Sequence, residues 1–331
     1  MSDKRLNIVA VDHNRDANNR PKSSFVGGKA RRLETQAYFD RLWLVDPEHL
    51  DPSRNCMEQE RIERTLELIE EEGSLNGIGA VDLGCGCGAL SAKLQEKGAR
   101  ILAVDISNNA LKILRERYGE TIQTTQDYIP MTTLPDHTYD LVVCTELIAH
   151  LHPDEYRLLF AELARLVKPE GHVVVSTSLD INSTDALQKF ADLAETEINI
   201  VKWRFSWHLF YIRIKDFFTA PSRFVRANRD HEYRLRELKI RFALSRWWFR
   251  FNSSTIPAAF WFVIQYLCLP IVSFLKKNRS FLSFLEKGCR LLCSESGISQ
   301  AILIGKKRPL LEKLPSDEIP REMKHKRQVW E

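Results

Sequence analysis

The chain has 331 residues, 28% of them charged, and a net charge of +4. Its balance of apolar and charged residues is that of a soluble globular protein, long enough for one large domain with additions or for two, which excludes a disordered, fibrous or small disulfide-stapled chain. Seven cysteines follow no framework, pointing to a reducing compartment, and no basic segment leads into an apolar run at the start, so a cytoplasmic location is expected.

Residues 1–28 are polar and rich in Asn, Asp and Arg, and read as a flexible tail. Residues 29–56 read as a helical cap. Leu33, Ala37, Phe39 and Leu42 give Lys29 to Leu44 helical character, and Asp46-Pro47 and Asp51-Pro52 break it. Met57 to Glu72 is a second helix, with Ile62, Leu66 and Ile69 at helical spacing and Gly73 as its stop. The apolar run Gly79 to Leu83 then enters three glycines at alternate positions, Gly84, Gly86 and Gly88. A helix starts near Ala89, and a second apolar run, Ile101 to Val104, ends in Asp105. This strand, glycine loop, helix, strand and acid form the half-sheet that binds a nucleoside across the strands' carboxyl ends. Asp105 can accept both hydroxyls of a ribose. A dinucleotide loop would read GxGxxG, but residue 89 is Ala and the next glycine is Gly98. Cys85 and Cys87 form a C-x-C inside the loop and read as small residues suited to a tight turn, so no metal is expected.

Thr121 to Thr125 reads as a third strand, followed by Asp127 and Tyr128. Leu134 to Cys144, with Tyr139-Asp140-Leu141-Val142-Val143, reads as a fourth. A helix over Leu158 to Val167, a turn at Lys168-Pro169-Glu170-Gly171 and a fifth strand, His172 to Ser176, follow. The acid-x-Gly-x-Gly-x-Gly run from Asp82, with Asp105 and the ordered strands after it, resembles the class I S-adenosylmethionine-dependent methyltransferases over about residues 57 to 180. The resemblance implies a Rossmann-like, doubly wound α/β fold. It has a mostly parallel seven-stranded sheet, an N-terminal helical cap and a helical insertion before the last strand, with residues 57–200 as the cofactor-binding core. It implies S-adenosyl-L-methionine as cofactor. Asp82, Gly84, Cys85, Gly86 and Gly88 would lie at its methionine end, Asp105 on the ribose, Ile106 on the adenine, Asp127 on the adenine amino group and Tyr128 on the ring, with Thr145 nearby.

Methyl transfer from a sulfonium depends chiefly on placing the acceptor in line with the methyl group. The best-placed catalytic candidates follow the fourth strand, in Cys144-Thr145-Glu146-Leu147-Ile148-Ala149-His150-Leu151. If this tip is helical, Glu146 and His150 share a face, and His150 has the chemistry of a general base or the bulk of a packing residue. The run is similar to the Glu-x-x-Glu-His of the ubiquinone O-methyltransferases, whose two acids and histidine are associated with a divalent metal. Ala149 replaces the second acid here, and one carboxylate with one imidazole holds a hard cation poorly. His152, beside Pro153, reads as a helix-start residue.

Beyond the core, Thr184 to Val201 reads as a helix with Leu187, Phe190, Leu193 and Ala194 on one face. Residues 201–297 read as a substrate or membrane-contact region. Between Lys202 and Arg250, 13 Lys and Arg face 4 Asp and Glu, interleaved with Trp203, Phe205, Trp207, Phe210, Tyr211, Phe217 and Phe218. Such a segment can bind nucleic acid, dock anionic lipid headgroups, or form an amphipathic cap. Thr255 to Leu275 carries no charge over 21 residues, long enough to cross a bilayer core, which takes ~20. Both flanks should return to one sheet, so a single crossing is excluded. Pro257 and Pro270 should break a straight helix. An interfacial helix or shallow hairpin at the inner membrane face is therefore expected, with a buried cap or dimer face as the alternative. Ser299 to Ile304, within residues 298–308, reads as the last core strand and 309–331 as a polar tail. The resulting expectation is methylation, at O or C, of a small apolar or membrane-resident acceptor. A protein or RNA methyltransferase is one alternative, with nucleic acid the less favoured partner. A cofactor-binding membrane protein without transfer activity is the other.

Overall fold

The computed structural model describes residues 29–309 apart from 182, 184 and 240–242. The tails read from the sequence at 1–28 and beyond 309 lie outside the described residues. Seven strands form one sheet: β1 (Gly79–Leu83), β2 (Arg100–Asp105), β3 (Gln123–Gln126), β4 (Tyr139–Thr145), β5 (Val167–Ser178), β6 (Ile198–Ser206) and β7 (Gln300–Lys307). Their order is β3-β2-β1-β4-β5-β7-β6. The first five are parallel, and β7 runs antiparallel to both its neighbours. The turn expected at Lys168 to Gly171 is the irregular start of β5, where the register with β4 shifts between Tyr139 and Leu141.

Alternation along the strands supplies both cores, because successive side chains point to opposite faces. Val81 and Leu83 join Ala301 and Leu303 on the face covered by α6 (Tyr156–Leu166) and α7 (Ala186–Ala194). Ala80, Ile101, Ile302 and Ile304 face the other way. There they meet α3 (Cys56–Glu70), α4 (Ala89–Glu96) and Leu114 of α5 (Asn108–Tyr118). Burial on both faces explains why these strands read as near-continuous apolar runs.

Two departures from the sequence reading concern the region after β5. The helix expected to reach Val201 ends at Ala194, and the chain becomes β6. The boundary placed at residue 200 therefore falls inside a sheet strand, and Trp203 and Phe205 pack on the core, with Trp203 5.7 Å edge-on to Phe190. Neither Pro257 nor Pro270 breaks the apolar helix: it runs unbroken over Thr255–Lys277.

The chain between β6 and β7 is helical: α8 (Leu209–Arg229), α9 (His231–Lys239), α10 (Ala243–Asn252), α11 (Thr255–Lys277) and α12 (Arg279–Cys293). A small core of Cys56, Met57, Tyr211, Ile212, Leu275 and Leu282 joins α8, α11 and α12 to α3. The Tyr211 hydroxyl donates to the Leu275 carbonyl at 3.2 Å. At the amino end, α1 (Lys29–Val45), followed by the single turn α2 (Pro47–Leu50), is tied over the sheet. The Ser107 hydroxyl donates to Asp40 at 2.7 Å, and Arg31 pairs with Asp154 at 3.1 Å.

Candidate active site

A cavity of about 330 Å³ opens at the carboxyl ends of β1, β2 and β4. Gly84, Cys85 and Gly86 form its floor, together with Asp82, Asp105, Ile106 and Thr145. Local geometry explains the glycines. Gly86 has φ +53°, and a Cβ there would meet the Trp43 ring at 3.0 Å; Gly88 has φ +79°, and its Cβ would meet Leu114 at 2.5 Å. Both positions therefore exclude a side chain for reasons of backbone and of space. Gly88 caps α4 behind the floor, whereas Gly84 to Gly86 present bare backbone to the cavity.

Asp105 is held at the tip of β2 by the Gly86 N–H at 2.9 Å and the Ser107 N–H at 2.8 Å. Burial pushes its carboxyl up to about 6 against those two donors, and Asp40 adds to the rise. Asp82 accepts the Ser91 hydroxyl at 2.6 Å; burial raises it to about 6 as well, with Ser91 and Arg61 opposing. Burial holds the thiols of Cys85 and Cys87 protonated, that of Cys87 up at about 12, consistent with small neutral residues filling a turn.

A carboxylate at the strand tip, bare glycine backbone beside it and an apolar wall at Ile106 together fit a nucleoside whose other end is cationic. Two residues expected on the adenine, Asp127 and Tyr128, are not among those lining the cavity. Asp127 bonds within its own loop, accepting the Thr133 hydroxyl at 2.8 Å and the Tyr128 N–H at 2.7 Å. Tyr128 is buried, its hydroxyl joined to Glu155 and its ring 4.9 Å from the Arg32 guanidinium. Ile129 is the residue of that loop that reaches the cavity wall.

The tip of β4 also differs from the expected helix. Only Ile148–His150 forms a 3₁₀ turn, and Glu146 precedes it at φ +57°, a conformation that costs a residue with a Cβ. Glu146 and His150 therefore share no helix face, although both line the cavity. The Glu146 carboxylate accepts the Ser176 hydroxyl at 3.0 Å, the Ser178 N–H at 3.0 Å and the Ser178 hydroxyl at 2.6 Å. Burial raises its carboxyl above the usual range, while Arg61, with its Nε 3.9 Å away, opposes the rise. With those lone pairs engaged and Ala149 offering no ligand, the tip does not fit a divalent cation. The His150 ring stands edge-on to Phe39, centroids 5.5 Å apart.

Several cavity residues carried no sequence signal. Thr35, Phe39 and Trp43 come from α1, Glu58 and Arg61 from α3, Lys215 and Thr219 from α8, and Val272 and Lys276 from α11. They lie far apart in the chain, so no local spacing announces them. A second cluster lies apart from the cavity walls, where Glu60, His208 and Glu286 converge, each offering a ligand atom within 4.8 Å of the others. The Arg64 guanidinium already bridges it, pairing with Glu60 and with Glu286 at 2.6 Å. The cluster is a joint between α3, the start of α8 and α12.

Residues 80–171 match the family described as "Methyltransferase domain". The chain is 36% identical over 118 residues to "Ubiquinone biosynthesis O-methyltransferase" from Leptothrix cholodnii, covering 34% of this chain and 49% of that protein. A protein of the same name from Alkalilimnicola ehrlichii is 29% identical over 167 residues, covering 49% and 61%. The chain thus spans half to three-fifths of the length of these relatives. Among solved structures, N-methyltransferase NodS from Bradyrhizobium japonicum WM9, in complex with S-adenosyl-L-homocysteine, aligns with a TM-score of 0.45 at 20% identity, over 52% of this chain and 89% of that one. The matched segment, its glycine loop and the seven-stranded sheet around it agree, and the chain carries a class I S-adenosylmethionine-dependent methyltransferase domain.

Proposed function

We propose that the protein transfers a methyl group from S-adenosylmethionine to a small amphiphilic acceptor that reaches the cavity from a lipid surface. The observation that carries this reading is the make-up of one cavity wall. It joins the Gly84 to Gly86 floor and Asp105 to Glu146 and His150, and continues onto Val272 and Lys276 of the exposed apolar helix α11. Bound S-adenosylmethionine supplies an electrophilic methyl on a sulfonium. This chain's residues do the rest. Asp105 accepts ribose hydroxyls, and Asp82 and the backbone at Gly84 to Gly86 receive the cationic end. Phe39 and Trp43 of α1 close the cavity against water. His150, on the cavity wall, takes a proton from an acceptor that must lose one. Glu146, bound to Ser176 and Ser178, fixes the tip of β4 that carries His150.

The lipid surface is inferred from α10 to α12. Among the described residues one helix, Thr255–Lys277, is long and apolar enough to cross a membrane, and 11% of its most apolar window is buried. Ile256, Phe260, Val263, Leu267 and Phe274 of α11, Trp247 of α10 and Leu291 of α12 are all exposed. Patches of this extent mark a contact surface. Arg246, Arg250, Lys276, Lys277 and Lys287 border it, as suits an anionic bilayer. β6 and β7 pair directly on either side of the insertion, so α11 leaves and returns on one side and lies along the membrane rather than through it. The basic-aromatic segment supports nucleic acid poorly, since Trp203, Phe205 and Trp207 pack against the core rather than offering stacking faces.

The test is transfer of labelled methyl to a lipid extract, a protein extract and RNA. Label in the lipid fraction supports the reading. Label confined to protein or RNA overturns the acceptor class, and no binding of the cofactor overturns the activity.

A further inference from the structure

The acceptor side of the cavity holds a lysine without an ion-pair partner among the described residues and an arginine with one unused donor. Lys215 lies in the second turn of α8 and is 6% exposed. It lines the cavity, yet no carboxylate among the described residues pairs with it. The nearest acid in sequence, Asp216, pairs with Arg223 at 3.3 Å. Across the cavity Arg61 is also 6% exposed. Its Nε donates to Glu58 at 2.9 Å, but its buried Nη1 has no hydrogen-bond partner. Lys276 of α11 lines the same wall. Lys215 lines the cavity with no ion-pair partner among the described residues, and a buried donor left unpaired, as at Arg61 Nη1, is costly. Two such groups lining one cavity form a site that a ligand completes.

We infer that Lys215, with Arg61 and Lys276, binds a phosphate or carboxylate carried by the methyl acceptor, so that the acceptor is an anionic amphiphile. Glu58 and Glu146 flank Arg61, so the net positive charge of the acceptor side comes from the two lysines. Asp82 and Asp105 lie at the cofactor floor and suit a cationic ligand there, whereas Lys215 and Lys276 come from the two helices that form the far wall. Val272, one turn before Lys276, places an apolar surface next to the anion site and continuous with the exposed face of α11. An anionic head in the cavity and an alkyl or prenyl tail along α11 satisfy both. The inference rests on the methyltransferase reading, which fixes the end of the cavity that the cofactor occupies.

The experiment is calorimetric titration of the full chain, first saturated with S-adenosylhomocysteine, with octyl phosphate, octanol and inorganic phosphate. Octyl phosphate is expected to bind at least about tenfold more tightly than either, as befits a charge-assisted contact added to an apolar one. Lys215→Met should bring octyl phosphate to the affinity of octanol and leave the melting temperature of the unliganded protein little changed. A merely structural lysine would lower that temperature and leave the preference for octyl phosphate in place. Lys215→Arg should keep the preference, and Lys112→Met, on the far exposed face of α5, should change nothing. Should Lys215→Met fail to fold, Lys276→Met, at an exposed position, reads the same loss in part. Equal affinity for octanol and octyl phosphate, or a preference that survives both lysine variants, overturns the inference. Inorganic phosphate binding as tightly as octyl phosphate overturns the amphiphile and leaves a small-anion site. Absence of heat on adding S-adenosylhomocysteine contradicts the methyltransferase reading instead, so the two failures are distinguishable.

Discussion

The Asp105 carboxylate accepts the Gly86 backbone N–H at 2.9 Å, which locks the acid at the tip of β2 to the glycine loop that follows β1. One residue thus sets the loop's shape and presents the oxygens that would meet a ribose. Asp105→Ala should weaken S-adenosylmethionine binding roughly 100-fold, the loss of about 1.5–3 kcal/mol for hydrogen bonds to a charged group, with the loop loosened as well. Calorimetry on the intact protein measures it.

The same carboxyl gives a pH dependence. It sits at about 6 in the unliganded protein, and only its ionised form accepts two hydroxyls. Cofactor affinity should therefore fall as pH drops through about 6. For folding the sign is opposite. A carboxyl raised in the native state favours folding when protonated, and that contribution is lost as pH rises from the unfolded value near 4 towards 6. Titrations at pH 5, 6 and 7.5 separate the effects, because Asp105→Asn should flatten the binding profile.

Gly88→Ala should cost about 2–4 kcal/mol through positive φ and overpacking together, since its Cβ would lie 2.5 Å from Leu114. Chemical denaturation reads this as a lowered midpoint with the slope unchanged.

Arg64 ties the helical insertion to the core. Besides Glu60 and Glu286 it donates to the Ser206 hydroxyl at 2.9 Å. Arg64→Leu leaves two largely buried carboxylates without their cation and should cost about 3 kcal/mol, with α12 becoming sensitive to limited proteolysis before the sheet does. Burial works against the charge on Glu60, but His208 and Arg64 hold its carboxyl below the usual range. Its contribution is therefore present above the unfolded value and lost as pH falls through the native one, so wild type should lose α12 protection in acid.

On the exposed face of α11, Leu267→Asp with Val263→Asp should abolish co-sedimentation with anionic vesicles while leaving the melting temperature within about 1 °C, because surface substitutions away from packed features change stability little. Unchanged sedimentation would point to another occupant of that face, such as a second copy of the chain.

What could be read from the sequence was local. Gly84 to Gly88 and Asp105 announce themselves because one turn and one strand tip impose them, and Tyr139 to Val143 read as a strand because both faces are buried. β6 is hidden because Lys202 and Arg204 alternate with the core-facing Trp203 and Phe205, so the alternation of an edge strand reads as a basic surface. Position in a motif points Asp127 to the adenine, and in the structure its carboxylate bonds within its own loop. Glu146 and His150 share a face only if the tip is helical, and the positive φ of Glu146 prevents that. Lys215 and Arg61 meet only through the fold, and no spacing along the chain could have paired them.

The most direct test is incubation of the full chain with methyl-labelled S-adenosylmethionine and a membrane lipid extract, followed by organic extraction. Label in the organic phase, lost in Asp105→Ala, is the expected result. Label that stays in the aqueous or protein fraction despite bound cofactor would contradict a lipid-borne acceptor.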